Sequence, residues 1–293
     1  MLKGSLVALV TPFLEDGSIH YAKLKELLEY HIKSKTDGIV ILGTTAEATT
    51  LSLEEQIEVI KYSVSVVNKR VPIICGAGSN DTTKAIEKAK LFSGLGVDYL
   101  LVITPYYNKT NQRGLIHHFE SVAESSSVPI ILYNVPSRTG MSISLEALEI
   151  LSKHKNICGI KEASGNMSYA VGVSRFLNKD FVMLSGNDDI IVPMMSIGAT
   201  GVISVLANIC PKQTHNLCEL CLNESYREAG VLQGKFLPIA NALFLETNPI
   251  PVKAAMNYLG FSVGNYRMPL YSMDEGLYQK MIHILDENKE LLN

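Results

Sequence analysis

A lysine at the end of an apolar segment is the residue in this sequence best suited to covalent chemistry. Lys161 follows residues 157–160, and one strand–helix unit earlier a second apolar segment ends at Tyr133, with Arg138 just beyond it. A lysine amine held against apolar walls loses proton affinity, because its ammonium form is poorly solvated there. The neutral amine can attack a ketone and form a Schiff base. Tyr133 could move protons, and Arg138 could bind a carboxylate. Together with Lys161, these residue types predict carbonyl chemistry on a small keto acid.

The chain around these residues alternates apolar segments with amphipathic helical segments at a pitch of about 30 residues, which is typical of βα units around a parallel sheet. The predicted strands are residues 5–10, 38–42, 71–75, 99–103, 129–133, 157–161, 181–185 and 201–204. Eight such units predict a (β/α)8 TIM barrel. A doubly wound open sheet is the alternative, and strand order would distinguish the two.

The candidate residues lie at the same ends of different predicted strands, where (β/α)8 enzymes gather their reacting groups. Each also has a structural interpretation. A single lysine there could be a solvated cap, Arg138 could form a surface ion pair that contributes little, and Thr44 and Thr45 have good strand propensity. Tyr107 could simply pack at the rim. Their coincidence at one end of the barrel favours the functional interpretation.

The sequence pattern changes near residue 223. Apolar positions then recur only at helical spacing, interrupted by the Asn-Pro-Ile-Pro segment at 248–251 and by Pro269. Because proline ends or kinks a helix, this pattern predicts several short helices. We therefore expect a catalytic barrel over residues 1–223 and a C-terminal helical extension over 224–293. The extension would pack against the barrel or against another subunit.

Composition and charge narrow the functional class. The 293 residues carry a formal net charge of −3 and are 47% hydrophobic, which argues against the basic surface of a nucleic-acid-binding protein. The N-terminal segment lacks the apolar core and cleavage site of a signal peptide. No apolar run approaches the roughly 20 residues that a membrane-spanning helix needs. The sequence thus predicts a cytoplasmic protein without nucleic-acid or membrane partners.

Five scattered cysteines in such a chain predict reduced, mostly buried thiols and no disulfide framework. His215, Cys218 and Cys221 recur at three-residue spacing and could share a helix face. A zinc site would need a fourth ligand, and the nearby sequence offers no obvious one. We favour a structural role for these three residues and predict no metal site.

The sequence resembles the dihydrodipicolinate synthase family, within the pyruvate-dependent aldolases that include N-acetylneuraminate lyase. The resemblance runs from end to end and is carried by residues 4–5, 11–13, 43–47, 106–109, 133–136, 136–140, 161 and 248–253. Arg138, within Pro-Ser-Arg-Thr-Gly, points to the synthase branch. Two alternatives are a lyase that acts on a sugar acid through the same imine, and a barrel that only binds a ligand or partner.

The resemblance implies a Schiff-base condensation of pyruvate with L-aspartate 4-semialdehyde, giving 4-hydroxy-tetrahydrodipicolinate in diaminopimelate and lysine biosynthesis. Lys161 would form the imine with pyruvate, and Tyr133 would pass protons as a general acid and base. Thr44 would link Tyr133 to Tyr107, which in this family crosses from a neighbouring subunit. No metal or organic cofactor is implied, because the imine itself accepts the electrons.

The same resemblance implies a set of substrate-binding residues. Thr45, together with Thr44, would hold the pyruvate carboxylate, and Arg138 would bind the carboxylate of aspartate semialdehyde with its planar fork. Gly186 and Ile203 would line the pyruvate site through backbone groups. A tyrosine shared between subunits requires a homo-oligomer, and the family is commonly a tetramer formed from two dimers. A dimer remains the alternative.

Two departures from the family pattern stand out. Ala46 occupies a turn position that is usually glycine, which would cost on the order of 1 kcal/mol if the backbone there needs a positive φ. The second departure lies where inhibited members bind lysine between subunits, at Ala48, Leu53, Gln56, Asn80, Lys84 and Tyr106. Ala48 and Leu53 are apolar, and Lys84 carries the same charge as the ammonium groups of lysine. We therefore predict weak or absent lysine feedback.

Overall fold

A closed barrel of parallel strands forms the body of the computed structural model, which describes residues 2–292. The strands are in chain order, and β1 pairs with both β2 and β8. This closure confirms the TIM barrel and rules out the open doubly wound sheet, since an open sheet would leave two edge strands. The strands are β1 Gly4–Ala8, β2 Gly38–Ile41, β3 Ile73–Gly76, β4 Tyr99–Ile103, β5 Ile130–Asn134, β6 Ile157–Glu162, β7 Val182–Ser185 and β8 Gly201–Ser204.

Both faces of these strands are buried, which explains why each reads as a continuous apolar run. Outward-facing residues pack against the surrounding helices in one large core. A second, smaller cluster includes Leu6, Val40, Ile74, Leu101 and Ile131 and packs within the barrel. Polar side chains lie mostly towards the strand ends, and those at the carboxyl ends, such as Tyr133 and Lys161, can face a common opening.

Helices follow the strands, and most of them cover the outside of the barrel. They are α1 Tyr21–Lys33, α2 Leu53–Val67, α3 Thr82–Ser93, α4 Gln112–Ser125, α5 Pro136–Thr139, α6 Leu145–Leu151, α7 Met167–Ser174, α8 Ile191–Ser196 and α9 Pro211–Leu222. The α2 N-terminus has a capping box: the Glu55 amide donates to Ser52 Oγ at 3.2 Å and the Ser52 amide donates to Glu55 Oε2 at 2.9 Å.

The C-terminal extension is helical, as predicted. It contains α10 Tyr226–Ala242, α11 Ile250–Tyr258, α12 Glu275–Glu287 and a final 3₁₀ turn, Lys289–Leu291. Pro251 lies in the first turn of α11, where its missing amide hydrogen costs little. Between residues 2 and 292, no helix is both long and apolar enough to cross a membrane. The division into two domains at residue 223 stays a prediction.

A buried ion pair attaches the extension to the turn after β2. Lys253 is 0% exposed, and its Nζ donates to Glu47 Oε1 at 2.8 Å and to the Asn265 carbonyl at 2.5 Å. The same ammonium lies 4.3 Å from the centroid of the Phe13 ring. Glu47 Oε2 accepts the Arg267 amide at 2.9 Å. Burial lowers the pKa of Lys253, and the adjacent Glu47 carboxylate opposes this shift.

We expect Lys253→Met to lower the free energy of unfolding by about 3 to 5 kcal/mol, because it leaves the Glu47 carboxylate buried without its counter-ion. Urea unfolding at fixed protein concentration measures the change. Lys153→Met is the control, since Lys153 forms an exposed ion pair with Glu149 at 3.1 Å and should leave stability nearly unchanged. Equal, small effects of the two substitutions would contradict the importance of the buried pair.

Candidate active site

A cavity of about 200 Å³ opens at the carboxyl ends of the barrel strands. Six of the predicted site residues line it: Thr44, Thr45, Tyr133, Arg138, Lys161 and Gly186. A larger cavity of about 630 Å³ lies at the opposite end, near the starts of β4, β6 and β7. None of the predicted site residues lines that larger cavity. The candidate chemistry is therefore concentrated in the smaller one.

Lys161 and Tyr133 are direct neighbours across the sheet. They are register partners in the parallel pairing of β5 with β6. Only 7% of Lys161 and 8% of Tyr133 is exposed, and the Lys161 Nζ lies 4.3 Å from the centroid of the tyrosine ring. The barrel thus holds a primary amine beside a phenol in a largely desolvated position. An amine that forms an imine needs a group nearby that can donate and accept protons, and this arrangement provides one.

A buried hydrogen-bonded pair holds the ends of these two strands together. Asn134 Nδ2 donates to Glu162 Oε2 at 2.7 Å, and both residues directly follow the site tyrosine and lysine in their strands. Glu162 Oε1 also accepts the Ser164 amide at 2.7 Å, and Asn134 Oδ1 accepts the Ile143 amide at 3.1 Å. Burial raises the pKa of Glu162, while the hydrogen bonds from Ser164 and Asn134 oppose that shift. The pair limits sliding of β5 against β6.

The turn after β2 places two threonines at the cavity. Thr44–Ala46 forms a 3₁₀ turn, and Thr45 Oγ1 accepts a hydrogen bond from Asn248 Nδ2 at 3.0 Å. The left-handed residue of this turn is Glu47, with φ of 54°, and not Ala46. Alanine in place of the family glycine therefore carries none of the backbone cost that a positive φ would impose at that position.

Arg138 lies in the short helix α5, at the exposed side of the cavity. Its Nη2 donates to the backbone carbonyl of Asn248 at 2.9 Å. This contact leaves other guanidinium hydrogens available, because arginine has five N–H donors. A cation at this place can bind an anionic group of a molecule that reaches the buried lysine.

Asn248 also lines the cavity, and the sequence reasoning missed it. In the sequence, the segment at 248–251 is interpreted only as a helix breaker and as part of the family resemblance. The available signal was an asparagine directly before proline in a mostly apolar helical region. In the structure Asn248 is 6% exposed and contacts both Thr45 and Arg138.

Gly186 and Ile203 have different positions relative to the cavity. Gly186 lines it, and its amide donates to the Glu162 carbonyl at 2.7 Å. A Cβ on Gly186 would lie 2.5 Å from the Ala163 Cβ, so no side chain fits there without movement. Ile203 is buried in the inner cluster with Tyr133, and it is Val205 that lines the cavity from this part of the chain.

Tyr107 lies on the loop after β4, outside the cavity lining of its own chain. It is 92% exposed and has a left-handed backbone, with φ of 70°. Left-handed backbone is uncommon for a bulky residue and marks a constrained loop. The geometry of one chain therefore does not bring Tyr107 to Lys161, and its role across a subunit boundary stays a prediction.

A buried carboxylate, Asp188, ties the end of β7 to the segment after β8. Its Oδ2 accepts the amides of Val205 and Leu206, each at 2.9 Å. Burial raises the pKa of Asp188, while these hydrogen bonds and the nearby Lys161 charge oppose the shift. Val205 faces the cavity, so this contact helps to shape its wall.

The three residues considered as zinc ligands have other surroundings. His215 Nδ1 lies 2.8 Å from Asp37 Oδ2. Cys218 and Cys221 are buried, and burial raises the pKa of Cys221 to about 11. Within the described chain, no three His, Cys, Asp or Glu side chains are grouped so that they could hold a metal ion. These contacts agree with the structural interpretation.

Comparison with known proteins gives consistent results. The model of the dihydrodipicolinate synthetase family matches residues 1–288. The chain is 54% identical over 275 residues to 4-hydroxy-tetrahydrodipicolinate synthase 1 of Clostridium acetobutylicum, covering 94% of each chain. It is 51% identical over 288 residues to the synthase of Clostridium perfringens, covering 98% of this chain and 97% of that one.

The fold has an equally close counterpart among solved structures. The chloride-inhibited dihydrodipicolinate synthase of Acinetobacter baumannii, solved in complex with pyruvate, superposes with a TM-score of 0.96. That structure is 41% identical, and the match covers 99% of both chains. The chain therefore belongs to the dihydrodipicolinate synthetase family and is a lyase of that family.

Proposed function

We propose that this enzyme condenses pyruvate with L-aspartate 4-semialdehyde to 4-hydroxy-tetrahydrodipicolinate, in the route to diaminopimelate and lysine. The observation that carries the proposal is the Lys161 amine beside the Tyr133 ring, 4.3 Å from its centroid, in a cavity with an arginine at its open side. Relatives at 51% and 54% identity carry the name of this synthase. A related structure contains pyruvate.

The first half of the reaction uses the buried amine. The Lys161 nitrogen attacks the pyruvate ketone, and loss of water from the resulting carbinolamine leaves a protonated imine. Loss of a proton from the pyruvate methyl group then gives an enamine, because the imine accepts the electron pair. Tyr133, next to the reacting nitrogen, supplies and removes these protons. Its position beside Lys161 is set by the β5–β6 register.

The pyruvate carboxylate would bind at the turn after β2. Hydroxyl and amide groups of Thr44 and Thr45 suit an anion, since hydrogen bonds to a carboxylate are stronger than neutral ones. Gly186 leaves space on the facing wall, where a side chain would collide with Ala163. Ile203 would contribute from the strand below. Binding at the turn would place the ketone of this three-carbon acid over the lysine.

The second half of the reaction joins the two substrates. The enamine carbon attacks the aldehyde of aspartate semialdehyde, forming the new carbon–carbon bond. The amino group of that substrate then attacks the imine carbon and releases Lys161, which closes the ring. Arg138, exposed at the cavity opening, would bind the carboxylate of the incoming aldehyde with its planar fork.

Tyr107 would complete the site in a homo-oligomer, as a dimer or a tetramer. Its exposed position and constrained backbone suit a side chain that projects into a neighbouring subunit. There it would continue the proton path from Tyr133 through Thr44. Such a role makes proton transfer dependent on assembly.

Arg138→Ala tests the assignment of the acceptor substrate. We expect it to raise the half-saturating concentration of aspartate semialdehyde or lower turnover at least about tenfold, since a charge-assisted contact with a carboxylate is lost. The half-saturating pyruvate concentration should change little. Steady-state turnover with each substrate varied in turn provides both values. Arg175→Ala, at the end of α7 and outside the cavity lining, is the control.

Equal losses for both substrates would mean that Arg138 has a structural role. Cleavage of N-acetylneuraminate by the wild-type enzyme, with no turnover of aspartate semialdehyde, would show instead a lyase that acts on a sugar acid, with a neutral sugar aldehyde as the acceptor of the enamine. The pyruvate half of the proposal would then still stand.

We further propose that lysine inhibits this enzyme weakly or not at all. In the region where inhibited family members bind lysine, Ala48 is half-buried, and the exposed side chain of Leu53 can neither donate nor accept hydrogen bonds. Gln56 already donates to the carbonyls of Ala48 and Leu51 at 3.2 and 2.9 Å. The exposed Lys84 would place a cation near the ammonium groups of the effector.

A titration of turnover with lysine tests this second proposal. We expect little loss of activity at sub-millimolar lysine, whereas Lys84→Ala should make the enzyme more sensitive by removing a like charge. Strong inhibition of the wild-type enzyme at sub-millimolar lysine would contradict the proposal. An unchanged response of Lys84→Ala would show that charge repulsion is not its cause.

A further inference from the structure

The C-terminal extension contributes a polar residue to the active-site cavity. Asn248 lies between α10 and α11, is 6% exposed and lines the cavity together with Phe244 from the same part of the chain. A TIM barrel does not need this segment in order to close. Its contacts with Thr45 and Arg138 suggest that it acts on the site itself.

In the contact with Thr45, the Asn248 side chain is the hydrogen-bond donor. Asn248 Nδ2 donates to Thr45 Oγ1 at 3.0 Å, so this hydroxyl oxygen serves as an acceptor for the amide. A hydroxyl has one hydrogen to donate and two lone pairs to accept with. Accepting from Asn248 therefore leaves the Thr45 hydrogen free to point into the cavity. Asn248 Oδ1 is buried and has no hydrogen-bond partner within residues 2–292.

The backbone of Asn248 has a separate role. Its carbonyl accepts from Arg138 Nη2 at 2.9 Å. A change of the Asn248 side chain removes the contact with Thr45 but retains this carbonyl. The two contacts can therefore be tested independently.

The extension also contacts the turn at residues 44–47 at a second residue, Glu47. Five residues after Asn248, Lys253 forms its buried ion pair with Glu47. The turn at residues 44–47 is thus held at Thr45 by a neutral hydrogen bond and at Glu47 by a charged one. Held at two points, the turn has little freedom to rotate the Thr45 side chain away from the cavity.

We propose that Asn248 is a positioning residue for the pyruvate carboxylate, because its amide fixes the Thr45 hydroxyl as a donor toward that anion. This inference rests on the proposed function. It adds that the extension determines affinity for the keto acid, while affinity for the aldehyde depends on Arg138.

Two substitutions separate hydrogen-bond polarity from packing. Asn248→Asp keeps the size and shape of the side chain but turns the donor into an acceptor and adds a negative charge beside the carboxylate site. Asn248→Ala removes the contact without reversing it. At mildly alkaline pH the new carboxyl group is ionised. Under these conditions we expect the half-saturating pyruvate concentration to rise about tenfold or more in Asn248→Asp, and by a smaller factor in Asn248→Ala.

The measurements are steady-state turnover and hydride trapping of the pyruvate imine, each over a range of pyruvate concentrations. The half-saturating aldehyde concentration should stay within about twofold of the wild-type value, since Arg138 keeps its carbonyl partner. Asn241→Asp, which adds the same charge at an exposed position of α10, should behave as the wild type.

A double-substitution cycle gives a second test that does not require the aspartate variant to fold. Thr45→Val removes the hydroxyl, so adding Asn248→Ala should then raise the half-saturating pyruvate concentration no further. Independent, multiplying effects would overturn the inference. A smaller rise in the half-saturating pyruvate concentration for Asn248→Asp than for Asn248→Ala would also overturn it, because that order indicates a packing role alone. Equal rises in the half-saturating concentrations of pyruvate and of the aldehyde would overturn it as well. A wild-type enzyme that shows no pyruvate trapping would instead refute the proposed function.

Discussion

The register between β5 and β6 is the constraint on which the rest of the site depends. It makes Tyr133 and Lys161 direct partners across the sheet, and both side chains are more than nine-tenths buried. Proton transfer to and from the lysine nitrogen requires a donor within reach, and a slip of one residue would turn one side chain to the other face of the sheet. The hydrogen bond between Asn134 and Glu162, one residue further along, opposes such a slip.

Around this pair, the site is assembled from parts of the chain that are distant in sequence. The carboxyl ends of parallel strands bring amine, phenol and hydroxyl groups to one opening. The extension closes this arrangement from outside the barrel, through Asn248 at Thr45 and Lys253 at Glu47. The buried ion pair thus supports both the fold and the shape of the cavity. We propose that the barrel supplies the reactive groups and that the extension orients the turn that would bind the pyruvate carboxylate.

Much of the fold follows from sequence because strands buried on both faces read as uninterrupted apolar runs. Lys161 stood out since a charged residue ended such a run. Contacts formed only in the folded chain were inaccessible: Asn248 and Thr45 are 203 residues apart, and Lys253 and Glu47 are 206 apart. Asn248 is marked only by its place directly before a proline, and nothing in the sequence indicates which residues Asn248 and Lys253 would contact. The predicted role of Tyr107 would require a neighbouring subunit, so it stays a prediction.

Covalent capture of pyruvate tests directly whether Lys161 forms the imine. The protein is incubated with pyruvate, reduced with borohydride and analysed by intact-mass and peptide mass spectrometry. We expect one three-carbon adduct per chain, on the peptide that contains Lys161, and none without pyruvate or in Lys161→Arg. The absence of an adduct would contradict it. An adduct on Lys253, the other deeply buried lysine discussed above, would contradict it equally.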